Sequence, residues 1–116
     1  MSQPATVRNA TNGKVVATRV RRASNPWTRG IGLLGSARVE PDEGLWIDGC
    51  SAVHTMLMRA TIDLFFLDRE GTVLRIVCAA KPYRPMIACP RAKTVVELGS
   101  GSAARDVLVG DRLVLE

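Results

Sequence analysis

The stretch Cys50-Ser-Ala-Val-His-Thr-Met-Leu-Met-Arg-Ala-Thr-Ile-Asp-Leu-Phe-Phe-Leu-Asp-Arg-Glu-Gly-Thr-Val-Leu-Arg-Ile76 holds the only histidine, both phenylalanines and the longest apolar run of the chain. Thr61 to Leu67 and Thr72 to Ala80 are rich in β-branched and aromatic residues, which suit a pleated, half-buried surface. Asp68-Arg69-Glu70-Gly71 between them reads as the turn of a hairpin, with Gly71 suited to a left-handed backbone. That hairpin sets the carboxylate of Asp63 between Ile62 and Leu64-Phe65-Phe66-Leu67, where an ionised acid must be paired or hydrogen-bonded. Ahead of it, Cys50 to Arg59 reads as extended, with Ala52, His54, Met56 and Met58 on one face and Val53, Thr55 and Leu57 on the other; a helix is the alternative.

Working upstream, Leu45-Trp46-Ile47 reads as a short strand between the acidic turn Glu40-Pro41-Asp42-Glu43-Gly44 and Asp48-Gly49. Ser24-Asn25-Pro26-Trp27 has the composition of a helix start, and Trp27, Ile31 and Leu34 recur at helical spacing before Gly35, so a short helix is expected there. Val15 to Ala23 alternates loosely and predicts a strand with one apolar and one basic face. Met1 to Gly13 is polar and rich in Ser, Thr and Asn, and is expected to be a flexible segment, with the domain running from Lys14 to Glu116. Downstream, Lys81 to Lys93 contains Pro82, Pro85 and Pro90 and reads as a loop. Thr94 to Leu98 and Arg112 to Leu115 read as strands, and Ser102 is placed to cap a second short helix through Val107. The expected fold is mainly β, with an α+β tendency: a small barrel-like sheet or a two-sheet sandwich with two short helices.

The chain has 116 residues, 47% of them hydrophobic and 23% charged, which fits one globular domain and excludes a disordered chain. Aromatics make up 4%, so stacking platforms for single-stranded nucleic acid are scarce. The net charge of +5 is concentrated before Glu40 and again between Arg75 and Lys93. If Arg19, Arg21, Arg22, Lys81, Arg84 and Arg91 shared a face, they would attract anions; solvated strand faces also carry such charges. Cys50, Cys78 and Cys89 form no CxxC pair and leave one over in any disulfide scheme, so reduced thiols are expected. Met1 to Gly13 has no apolar stretch of signal-peptide length, and no run approaches the roughly 20 apolar residues of a membrane span, so a cytoplasmic protein is expected.

Several motifs together resemble a family, the bacterial and archaeal proteins grouped as domain of unknown function 192. Val53-His54-Thr55 is similar to its Ile-His-Thr signature, and Met58-Arg59, Ile62-Asp63, Phe66-Leu67-Asp68 and Gly71 follow in its order. Arg29-Gly30-Ile31-Gly32-Leu33-Leu34-Gly35, Gly44-Leu45 with Cys50, Val96-Glu97-Leu98-Gly99-Ser100-Gly101 and Gly110-Asp111 extend the resemblance over most of the chain. Two departures concern turns: Ala60-Thr61 stands where relatives have Phe-Pro or Ile-Pro, and Gly99 replaces a proline. The resemblance implies a compact, mainly β domain with short helices and no particular reaction.

Three functions follow from the chemistry-bearing residues. The first is a non-enzymatic module binding a small ligand or a protein partner in a polar pocket around His54 and Asp63, lined also by Arg59, Cys50 and Met58. In it Asp63 either receives the ligand or accepts bonds from backbone N–H groups or Arg59 as a structural pin. The second is a hydrolase in which His54 is the acid or base and Asp63 orients it, provided their strands are neighbours. Cys50 lies four residues from His54, about 13 Å along a strand, too far for a thiolate–imidazolium pair. The third is weak anion or nucleic-acid binding through the arginine-rich faces, the least expected of the three. No zinc spacing joins His54 to the cysteines, and no metal or cofactor is expected.

Overall fold

The computed structural model describes residues 4–23, 39–53, 61–81, 86–101 and 106–116. They form nine strands: β1 (Ala5–Asn9), β2 (Val15–Ala23), β3 (Glu43–Asp48), β4 (Ala52–Val53), β5 (Ile62–Leu67), β6 (Val73–Ala80), β7 (Ile87–Ala88), β8 (Thr94–Gly99) and β9 (Leu113–Leu115). Seven make one sheet in the order β6-β5-β8-β3-β2-β1-β9, and β4 and β7 make a separate pair. The β2–β3 pair is parallel and the other pairs are antiparallel. No helix occurs among the described residues. The helix expected at Pro26 to Leu34 lies outside them, as do residues 102–105 of the second; Asp106 and Val107, where that helix was to end, are not helical.

The hairpin β5–β6 forms as its sequence predicts, with Phe65 opposite Ile76 and Phe66 opposite Arg75. Asp68 fixes its turn by accepting the N–H groups of Glu70 and Thr72, each at 2.9 Å. Gly71 takes φ +88°, and a Cβ there would lie 2.6 Å from the Leu113 carbonyl oxygen. That close approach joins the two edges of the sheet at one corner, through a Thr72–Arg112 bridge and bonds from Val73 N–H to Asp111 and Leu113 N–H to Gly71. The barrel expectation is corrected here: the sheet curls until its edges touch but does not close. Closure needs a ladder between edge strands, and β9 is three residues long and already paired with β1.

The flexible start expected over Met1 to Gly13 is also corrected, since β1 lies inside the sheet between β2 and β9. Val7 and Asn9 are fully buried. The Asn9 amide donates to the Asp106 carbonyl (2.9 Å) and to Asp111 Oδ2 (2.8 Å), and its Oδ1 accepts Thr11 N–H. A polar residue is at home in a core once every group it carries is satisfied. Register shifts in the β1–β2 pair explain why Val16 and Ala17 are both buried where strict alternation would expose one. The loop expected over Lys81 to Lys93 carries β7, a strand too short to conflict with its prolines.

Alternation along the strands sorts the apolar residues onto two faces. Val7, Val20, Trp46, Phe65, Leu67, Val73, Val96, Leu98 and Leu113 draw on every strand of the large sheet and fill the inside of the curl. Leu45, Ile47, Ile62, Leu64, Phe66 and Val95 line the outer face, where Cys50, Val53, Ile87 and Cys89 of the β4–β7 region pack. Arg75 secures this cover, donating to the Ala88 carbonyl at 2.7 Å with its guanidinium 6.0 Å from the Phe66 ring centre.

Candidate functional site

Asp63 is 1% exposed, and its two oxygens are both engaged by the backbone. Oδ1 accepts Ala79 N–H at 2.7 Å and Oδ2 accepts Gly101 N–H at 3.2 Å. The register explains why an acid is wanted. Ile62 pairs with Ala80 and Leu64 with Val77, so Cys78 and Ala79 together face the single residue Asp63. Ala79 adopts the left-handed φ of +54°. In such a bulge the extra residue falls out of the ladder, and Asp63 supplies the acceptor its N–H needs. Reaching Gly101 as well, the side chain ties β5, the bulge of β6 and the turn after β8 together. Of the roles read from the sequence, the structure shows the pin made by backbone N–H groups.

A second acid, Glu97, is 6% exposed at the centre of β8. Its register neighbours are Leu45 on β3 and Leu64 on β5. Val95 and Gly99, two residues to either side, share its face by strand alternation. That is the outer face, whereas Asp63 falls by the same alternation with Phe65 and Leu67 inside the curl. Among the described residues no donor reaches the Glu97 carboxylate, and burial pushes its carboxyl up from 4.5 to about 7. Gly99 shows what crosses the sheet beside it: a Cβ at that position would lie 2.1 Å from the Glu40 carbonyl oxygen and 2.4 Å from that of Val39. Glu43, opposite Gly99, extends the acidic character, accepting Glu40 N–H at 3.3 Å and lying 3.7 Å from Arg19.

Of the other residues singled out in the sequence, Cys50 is buried on this outer face, its thiol directed to the Ala52 carbonyl at 3.1 Å. His54, Met58 and Arg59 lie outside the described residues, in the connection from β4 to β5. The sequence names Glu97 only as part of a motif, and its burial was missed. The available signal was the one that exposed Asp63, an acid inside an apolar run, here Val95-Val96-Glu97-Leu98. The basic faces are partly neutralised: Arg19 pairs with Asp42 at 2.8 Å and Arg22 with Asp48. The three cysteines form no disulfide. Among the described residues no cluster of metal-ligating side chains occurs, and no helix is long and apolar enough to cross a membrane.

A family model, DUF192, described as "Uncharacterized ACR", matches residues 7–115. No curated protein matches the chain. Among solved structures it is similar to a "putative transcription regulator" from Sinorhizobium meliloti 1021, with 26% identity over 99% of this chain and 96% of that one and a TM-score of 0.81. It is also similar to a protein of unknown function from Novosphingobium aromaticivorans DSM 12444, with 21% identity, 96% and 83% coverage and a TM-score of 0.79. The second likeness is one of fold alone.

Proposed function

The chain belongs to the DUF192 family, and on that premise we propose that it is a non-enzymatic module that binds a small ligand or a loop of a protein partner on the outer face of its sheet. Glu97 is the polar anchor of the site, and His54, Met58 and Arg59, singled out in the sequence, are its further candidate residues. Cys50 and Asp63 hold the frame. The observation that carries this reading is the contrast between the two buried acids. Asp63 has a backbone donor on each oxygen, whereas Glu97 meets none among the described residues. No described side-chain oxygen is both fully buried and unpartnered, so the Glu97 carboxylate, which has no protein donor among the described residues, keeps an opening through which a binding partner's donor can reach it.

The same contrast weighs against hydrolysis by a His54–Asp63 pair, because an orienting carboxylate needs an oxygen directed at the imidazole. The Sinorhizobium neighbour's description brings nucleic acid into view. Here, however, Arg19 and Arg22 are committed to Asp42 and Asp48, which lowers their attraction for phosphate. A thermal-shift screen of metabolites and short peptides against the native protein and Glu97→Gln tests the proposal. A ligand at a hundred times its Kd stabilises by about 2.7 kcal/mol, so the expected result is a shift of several degrees in the native protein that Glu97→Gln abolishes. A library that shifts neither protein contradicts the reading.

A further inference from the structure

Strand β6 forms one edge of the seven-stranded sheet. An edge strand turns every second N–H and C=O outward, away from its one neighbour. At Val73 those groups are taken: its N–H donates to the Asp111 carbonyl at 2.8 Å, and its carbonyl accepts Gly110 N–H at 2.9 Å. Beyond Val73 the outer side of β6 meets no backbone partner among the described residues. Ala79 ends the free stretch, because it stands in the bulge and gives its N–H to Asp63. What remains is a short slot from Leu74 to Cys78, closed at one end by the turn at Gly110 and Asp111 and at the other by the bulge. The opposite edge strand, β9, has three residues and offers no comparable length.

A slot bounded in this way suits a short extended segment rather than another sheet, and its side chains indicate which. Ile76 is half-buried against the inner core, and Leu74 and Val77 are half-buried against the outer cluster. An added strand alternates in step with them, so it sets one residue beside Ile76 and the residues on either side of it toward Arg75 and Val77. Arg75 is exposed, and its one hydrogen bond among the described residues is the one to the Ala88 carbonyl, which leaves its other N–H groups for an incoming acceptor. From Val73 to Lys93 the chain carries five cations, Arg75, Lys81, Arg84, Arg91 and Lys93, and no acid. Asp68 and Asp111, at the Val73 end, are bonded to turn N–H groups. The edge therefore favours an acidic segment, and a second copy of it would set the same cations against one another.

We infer that β6 takes an extended, acidic segment of a partner protein as an added strand. The segment's backbone bonds to the stretch from Leu74 to Cys78, an apolar side chain lies beside Ile76, and a carboxylate meets Arg75. The backbone bonds supply affinity and the alternating side chains supply selectivity. This surface lies two strands from Glu97 and stands whether or not a ligand binds there.

The test records the backbone amide NMR spectrum of the native full chain, with its thiols kept reduced, during titration with the peptide acetyl-Ser-Glu-Val-Glu-Val-Ser-amide. The expected result is a saturable shift centred on the amides of Leu74 to Cys78, with binding that weakens as salt is raised. The same peptide with lysine in place of both glutamates should bind about tenfold more weakly or not at all. Two further peptides carry N-methyl groups on both valines or on both glutamates. In a ladder one of these sets of N–H groups faces β6 and the other faces solvent, so one peptide should lose about tenfold or more in affinity and the other should bind as the parent does. Millimolar parent peptide that leaves the amides of Leu74 to Cys78 unmoved overturns the inference, as does a lysine peptide that binds equally well. Two N-methylated peptides that both match the parent reduce the contact to charge alone and overturn the added strand. Shifts at the same amides that grow with protein concentration in the absence of peptide assign the edge to a second copy and overturn the acidic partner. Every readout uses the native protein, so no result depends on a variant folding.

Discussion

Glu97 and Asp63 are both acids in apolar strands, and their neighbours give them opposite energetic signs. For Glu97 the folded-state value of about 7 lies above the ordinary 4.5 because burial disfavours the charged form. A folded-state value above the unfolded one means stability that is fully present below pH 4.5 and lost as pH rises to 7, about 3 kcal/mol in all. Urea denaturation between pH 4 and 8 should therefore show the native protein falling progressively below Glu97→Gln across that window and by a constant amount above pH 7. Parallel curves would show that Glu97 is not desolvated. The comparison with the variant matters because Asp42 and Asp111 act in the other direction. Their carboxyls are held below the ordinary value by hydrogen bonds from Arg19 and Asn9, so what they contribute is lost in acid, below about pH 4. Asp63→Asn replaces one acceptor by a donor that faces a backbone N–H, and the lost bonds and the buried clash should cost about 2–4 kcal/mol at neutral pH. A urea midpoint within error of the native one would remove its role as a pin. The need for a partner at Asp63 was legible from sequence because only one acid interrupts Ile62 to Leu67. Which partner it takes was not, since Gly101 lies 38 residues away.

Among the elements, the bulge of β6 and the crossing at Gly99 carry the most specific consequences. Ala79 pays for its left-handed φ of +54° with the clash that a Cβ brings there. Ala79→Gly should raise stability by about 1 kcal/mol in thermal unfolding, and Ala79→Val should lower it. Gly99 sits where the backbone of Val39 and Glu40 leaves no room for a side chain. Gly99→Ala must push that backbone off the sheet and should cost roughly 1–3 kcal/mol or more, with loss of any ligand held by Glu97. A fully stable Gly99→Ala that still binds would place the crossing elsewhere. The strands that were legible are those whose pattern is local: β5 and β6 alternate around a turn that Asp68 and Gly71 define by themselves. Strand β1, Ala-Thr-Val-Arg-Asn, has too little apolar content to announce itself, and its burial comes from β9, more than a hundred residues later. Strand β7 is hidden by the prolines around it, because two paired residues leave no periodicity.

For the whole molecule, the strand order joins the two ends of the chain, with β1 lying between β2 and β9. Removing residues 1–9 strips the partner from β9 and opens the inner core at Val7, so a circular-dichroism melt of that truncation should show no cooperative transition. A cooperative melt near the native midpoint would contradict the placement of β1. The mainly β class was readable from strand content and turn spacing. Incomplete closure was not, because it depends on how far the curl carries β6 toward β9 and on β9 being too short to pair with both neighbours. The division into an inner face with a backbone-bonded acid and an outer face with a desolvated one also needs the register, since alternation alone leaves the relative phase of β5 and β8 open. That division is tested most directly by titrating the Glu97 side-chain carboxyl carbon by NMR in the ligand-free protein. A midpoint near 7 is predicted, and a midpoint in the ordinary glutamate range, about 4.3, would show that Glu97 is solvated or already paired and would contradict a desolvated acid on the outer face.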